Sequence, residues 1–242
     1  MMQTAYPKAV AGACAAAALL AAACLGTGAI AVDFHFEAFS DPLLALQYAH
    51  RHEWMYWFYI FDLWGYYLLL LPVLLLMHQR YRFHHPWMPL VTFSGAAYIL
   101  GGAMGAAQLA AQWPPLMQAY PGASAGGKEV LEQLFAFSTR GVVDGLWNSL
   151  GMLLGGVWWL GLGRLLYRDA RALGLLTLML GASCLLDGFG QQFRLPALAA
   201  IGLNIYLVAH IVWAAALAVS LARNARTEQP AVPSGALRPE AV

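Results

Sequence analysis

Six stretches of the chain stay apolar over about the 20 residues that a helix needs to cross a bilayer, and short polar segments separate them. They run over about residues 9–32, 54–77, 87–112, 141–163, 172–189 and 199–222. The pattern predicts an all-α polytopic membrane helix bundle: six transmembrane helices in one domain over residues 1–223, then a disordered tail over 224–242. The first stretch has a second reading. Lys8 precedes it, and Ala29-Ile30-Ala31 resembles the small-residue cleavage site of a signal peptide. Its apolar run is longer than a signal core, so a retained helix is expected. Cleavage would leave five spans in the same orientation.

Two polar connections carry helix signals of their own. Ser40-Asp41-Pro42 offers a capping oxygen followed by proline at the first helical position, so Leu43 to His52 reads as a short interfacial helix. Lys128 to Phe135 is amphipathic and reads the same way. Both fall on the side that the basic residues mark as extracytoplasmic. Lys8, Arg80, Arg82, Arg164, Arg168, Arg171, Arg223, Arg226 and Arg238 collect on one side, and Arg51, Lys128, Arg140 and Arg194 on the other. Basic residues concentrate on the cytoplasmic face of membrane proteins, so both termini are expected there, in a bacterial inner membrane.

Composition agrees with the pattern. Hydrophobic residues make up 61% and charged residues 10%, against about 25% charged in an average soluble domain. The net charge of +1 supplies no basic field, which excludes nucleic acid as a partner. Cys14, Cys24 and Cys184 sit in apolar runs without ligand spacing and read as small buried hydrophobes. A weak repeat is also visible. Asp62-Leu63-Trp64 precedes Arg80, Asp144-Gly145-Leu146-Trp147 precedes Arg164, and Asn204 precedes Arg223 at similar spacing. Three helical hairpins are the simplest architecture it suggests.

Ionisable groups inside a bilayer are costly and mark candidate sites. Counting back from the basic boundaries at 1.5 Å per residue places Asp62, Asp144, Asn148, Asp187, Asn204 and His210 in the outer half. Gln108 and Gln112 fall there too, while the cytoplasmic halves offer little beyond hydroxyls. The polar groups therefore form an outer layer and no path across, which disfavours a small-solute transporter. Arg140, Asp144 and Asn148 follow i, i+4, i+8 spacing, which puts them on one face of a regular helix. Gly101, Gly102 and Gly105 signal close helix packing, and Pro72 a kink. His50, His52 and Glu53 are the metal candidates, but no ligand motif supports a particular ion. His210 has no second histidine at matching depth, so haem is not expected and no cofactor is assigned.

The Asp-bearing second helix and the Arg-terminated fourth and sixth helices resemble an uncharacterised family of small bacterial six-helix integral membrane proteins, over about residues 55–223. The resemblance implies a topology and carries no catalytic residues. The functional expectation is a non-enzymatic protein that holds a lipid, an apolar small molecule or a protein partner in an extracytoplasmic-facing cup, as in an accessory subunit of a membrane complex. The alternative is a membrane-embedded enzyme on a lipid-like substrate, with Asp62 or Asp187 as acid–base residue and His210 or His50 assisting.

Overall fold

A computed structural model of the chain describes residues 2–39, 41–83 and 85–227. Among these the chain is helical, without strands. The helices are α1 (Met2–Ala31), α2 (Pro42–Gln47), α3 (His52–Asp62), α4 (Leu71–Tyr81), α5 (Met88–Ala119), α6 (Ala125–Thr139), α7 (Met152–Asp169), α8 (Arg171–Gln192) and α9 (Pro196–Thr227). Six continuous helical runs are long and apolar enough to cross a membrane: Tyr6–Ala31, Ala49–Tyr81, Met88–Ala119, Ala125–Asp169, Arg171–Gln192 and Pro196–Asn224. All six predicted spans are therefore present. Their ends move outward where polar residues add helical turns beyond the apolar run. Most of the expected tail lies outside the described residues.

Consecutive spans pack as antiparallel neighbours, and α1 packs on α9 as well as on α3 and α4. The three hairpins are thus joined into a closed ring with the spans in chain order. The first apolar segment is a full member of that ring. At the basic end, Asp169 pairs with Arg80 at 2.8 Å and accepts a hydrogen bond from Tyr81, tying the second span to the fourth. At the opposite end, Arg51 pairs with Asp33 at 3.1 Å and donates to the carbonyl of Ile30. A guanidinium there also suits the negative end of the α1 dipole. Asp33 and Phe34, just after α1, take positive φ of 51° and 64°, which turns the chain sharply.

The short connections form a roof over that end. Asp41 accepts from the N–H groups of Leu43 and Leu44 at 3.0 and 3.2 Å, as the sequence predicts for the start of α2. α2 packs against α6. Leu46, Met55, Tyr59, Trp113, Met117 and Phe135 join a buried apolar cluster beneath them. The Tyr120 hydroxyl donates to Glu132 at 2.6 Å, fastening α5 to α6 and raising the pKa of the phenol. The amphipathic segment at 128–135 is continuous with the fourth span and does not lie as a separate interfacial helix.

The second and fourth spans are not uniformly α-helical. Leu63–Tyr67 and Arg140–Gly151 are π-helical, with hydrogen bonds closing over one extra residue per turn. In the second span a short 3₁₀ turn, Leu68–Leu70, follows before α4 restarts. Pro72 then sits in the first turn of α4, where its missing N–H costs nothing. The expected proline kink is therefore a change of helix type one turn earlier.

Candidate functional site

The interior of the ring is filled by rings. Tyr66, Tyr67, Tyr98, Trp158, Trp159, Tyr206 and Trp213 are all buried in one cluster. α5 makes room for them through its glycines. A Cβ on Gly102 would fall inside the Tyr67 ring. The bare Gly102 carbonyl accepts from Trp147 Nε1 at 3.1 Å. The glycine run read as a helix-packing signal thus receives aromatic side chains from both π-helical segments, and the Tyr67 and Trp147 rings lie 6.3 Å apart.

Polar groups thread through this packing. His210 is fully buried on α9. Its Nε2 faces the Gly65 carbonyl at 3.2 Å, and its Nδ1 faces the Tyr206 hydroxyl at 3.4 Å. A carbonyl only accepts, so Nε2 carries the proton and Nδ1 accepts from Tyr206. Tyr206 in turn shares a hydrogen bond with Tyr98, and Tyr66 donates to the Leu207 carbonyl at 3.0 Å. The imidazole lies tilted against the Tyr66 ring with centres 4.7 Å apart. These contacts tie the second, third and sixth spans together at one level. The tyrosines carry no signal in the sequence, because a tyrosine in an apolar run reads equally as an interfacial anchor.

Two buried carboxylates stand beside the chain. Asp62, at the entry to the first π segment, is 7% exposed, and its Oδ2 has no hydrogen-bond partner. Cys24, Tyr59, Tyr66, Tyr67 and Tyr98 lie within electrostatic reach of it. Asp187 is 0% exposed, and neither oxygen makes a well-formed hydrogen bond; Gln191 stands one turn along α8. Cys184, one turn before Asp187 on α8, is buried as well and lies within electrostatic reach of Asp187, Tyr98 and Tyr206. Asp62 and His210 thus share the neighbourhood of Tyr66, while Asp187 stands on the α8 side beside Cys184 and Gln191.

The other candidates go elsewhere. Asn204 is exposed, and its amide donates to the Ala200 carbonyl at 2.7 Å, within its own helix. Arg140 and Asp144 are exposed, while Asn148 is buried. The shared face expected for these three assumes 3.6 residues per turn. In the π-helical stretch Arg140–Gly151 the first two stay at the surface and Asn148, deeper along the span, turns inward. Asp144 senses the charge of Arg140 without an ion pair within 4.0 Å among the described residues. Gln108 is exposed, and Gln112 is half-buried with its Oε1 unpartnered.

Among the described residues no three potential metal ligands converge. His50 accepts from Arg51 Nε at 3.3 Å, and His52 Nδ1 faces the Ala49 carbonyl at 3.2 Å. Glu53 points to a different place. With Thr27, Trp54, Trp57 and Phe61 it lines a hollow of about 390 Å³ on the flank of the bundle between the first and second spans. A second hollow, near the basic end of α9, is lined by Val212, Ala215, Ala216, Val219, Ser220, Arg223 and Asn224.

The unmade bonds of Asp187 give a direct expectation. A buried polar group without a partner costs about 1–3 kcal/mol. Asp187→Ala is expected to melt at or above the temperature of the parent protein in detergent, whereas His210→Ala melts lower. A loss of more than about 1 kcal/mol in Asp187→Ala would show that the carboxyl holds the bundle through a bond of its own.

No protein-family model, curated protein or solved structure matches this chain.

Proposed function

We propose that this protein is a multi-pass protein of a bacterial inner membrane that binds a lipid-like amphiphile at its extracytoplasmic half, without catalysis. The observation that carries this reading is the flank hollow between the first and second spans. Its volume lies within the range of about 300–1,000 Å³ typical of small-molecule sites. It has a carboxylate, Glu53, and walls of Trp54, Trp57 and Phe61. Trp54 and Trp57 are about half exposed, which is unusual for rings of that size inside a packed protein but suits rings that meet acyl chains. The interior polar cluster lies beneath the apolar roof of α2 and α6, so the open hollow is on the flank and not along the axis. The excess of basic residues at the opposite end supports cytoplasmic termini. A role as an accessory subunit is compatible with this reading.

The enzyme reading rests on the unpartnered oxygens of Asp62 and Asp187. Against it, neither carboxylate has a hydrogen bond to His210, whose ring nitrogens are engaged by Tyr206 and Gly65. The test is native mass spectrometry of the full chain released from mild detergent. The parent is expected to retain a lipid that the Trp54→Ala/Trp57→Ala double variant loses. Equal lipid retention by the two proteins, both folded, overturns the reading.

A further inference from the structure

The flank hollow has a chemical polarity that narrows its occupant. This step rests on the lipid-binding reading above. Glu53, Trp57 and Phe61 follow i, i+4, i+8 spacing on α3, a regular α-helix, and so form one stripe. Along that stripe the carboxylate lies nearest the roofed end, and Phe61 lies about 12 Å deeper. Trp57 and Phe61 stack with ring centres 5.6 Å apart, so the wall below the carboxylate is continuous aromatic surface. The hollow therefore presents one anionic group above an apolar slot.

The charges around Glu53 leave it open. Among the described residues it has no ion pair within 4.0 Å. The nearest cation in sequence, Arg51, is committed to Asp33 and the Ile30 carbonyl. The side chain of His52 turns back onto Ala49. The only hydroxyl in the lining, on Thr27, is bonded to the carbonyls of Ala23 and Cys24. Beside Glu53 the lining holds no cation, and its free donors are the indole N–H groups of Trp54 and Trp57, so a head group with net negative charge would meet an unshielded Glu53. A cationic one meets a carboxylate beside two half-exposed indoles, groups that attract ammonium ions. A primary ammonium fits better than a quaternary one. It can donate hydrogen bonds to the carboxylate, and two indoles do not make a closed aromatic cage.

We infer that the hollow holds a lipid whose head group ends in a primary ammonium, with Glu53 accepting from the ammonium, Trp54 and Trp57 flanking it, and the chain lying along Trp57 and Phe61. The experiment uses the full chain in nanodiscs of phosphatidylcholine doped in turn with phosphatidylethanolamine, its N-acetyl derivative, or phosphatidylglycerol of the same acyl chains. Retention is read by native mass spectrometry, and proximity by quenching of tryptophan fluorescence with chain-brominated versions. The parent is expected to favour the free-amine lipid over both others by about tenfold, and Glu53→Gln to erase most of that preference while still binding lipid. Val219→Ala, in the α9 hollow, serves as the control and should leave the preference intact. Equal retention of all three lipids by the parent, or an unchanged preference in Glu53→Gln, overturns the amine assignment and leaves the lipid-binding reading standing. Loss of retention for every lipid overturns both.

Discussion

Trp159→Ala is expected to lower the stability of the bundle by about 3 kcal/mol, read as a fall in Tm of the detergent-solubilised protein. Trp159 is fully buried. Its ring lies 4.2 Å from that of Trp158 and 4.6 Å from that of Trp213, centre to centre, with His210 at 6.1 Å. In water, deleting a buried tryptophan costs about 3–5 kcal/mol. In a bilayer the transfer part of that cost shrinks, because lipid tails are as apolar as the core. What remains is lost dispersion contact around a cavity that rigid rings cannot collapse to fill. The unpartnered Trp159 Nε1 offsets a little, since the substitution removes it. Trp159→Phe keeps most of the contact and is expected to lose less than half as much. An alanine variant that melts with the parent would mean that the ring cluster does not hold the spans together.

Gly65→Ala is the second large effect, and its cause is backbone. A Cβ at Gly65 would lie 2.5 Å from Ala21 N, with Ala21 Cα and the Leu20 carbonyl carbon both at 2.9 Å. Main-chain atoms cannot rotate away, so the first and second spans must separate. Separation also draws the Gly65 carbonyl from His210. Overpacking of this kind costs about 1–3 kcal/mol, and the lost hydrogen bond places Gly65→Ala at the upper end. Two controls isolate the mechanism. Gly26→Ala, in the same pair of spans, meets nothing within 4 Å and is expected to be neutral or slightly stabilising. Ala21→Gly should not rescue Gly65→Ala, because the clash is with Ala21 main chain and not its methyl. Rescue by Ala21→Gly would refute the backbone-contact account.

The six spans were legible because a bilayer demands long apolar runs, and such runs are plain in a sequence. The burial of Asp62, Asp187 and His210 was legible for a related reason: an isolated polar residue in such a run must turn inward. Asn204 met the same criterion, yet it is exposed and bonded to its own helix. A short amide reaches a neighbouring carbonyl anywhere on a helix, and its position in a run does not show whether it does so. The two π-helical segments were not legible, since hydrophobic periodicity does not record one extra residue per turn. The segments Asp62-Leu63-Trp64 and Asp144-Gly145-Leu146-Trp147, read as a weak repeat, fall at these two places, with Asp62 preceding one and Asp144 within the other. The Tyr98–Tyr206 contact and the roof over the outer end depend on long-range packing, for which a single sequence gives no pattern.

The ring closes between its first and last members, and that sets an order on biosynthesis. α1 leaves the ribosome ahead of the other spans, but the helix that covers its second flank begins only at Pro196. Until α9 is inserted, the nascent bundle is an open arc with two bare edges, and the Gly65 carbonyl has no imidazole to receive. Insertion of α9 delivers Tyr206, His210 and Trp213 together and welds both edges in one event. A chain cut before residue 196 would therefore leave α1 bare along the flank that α9 covers.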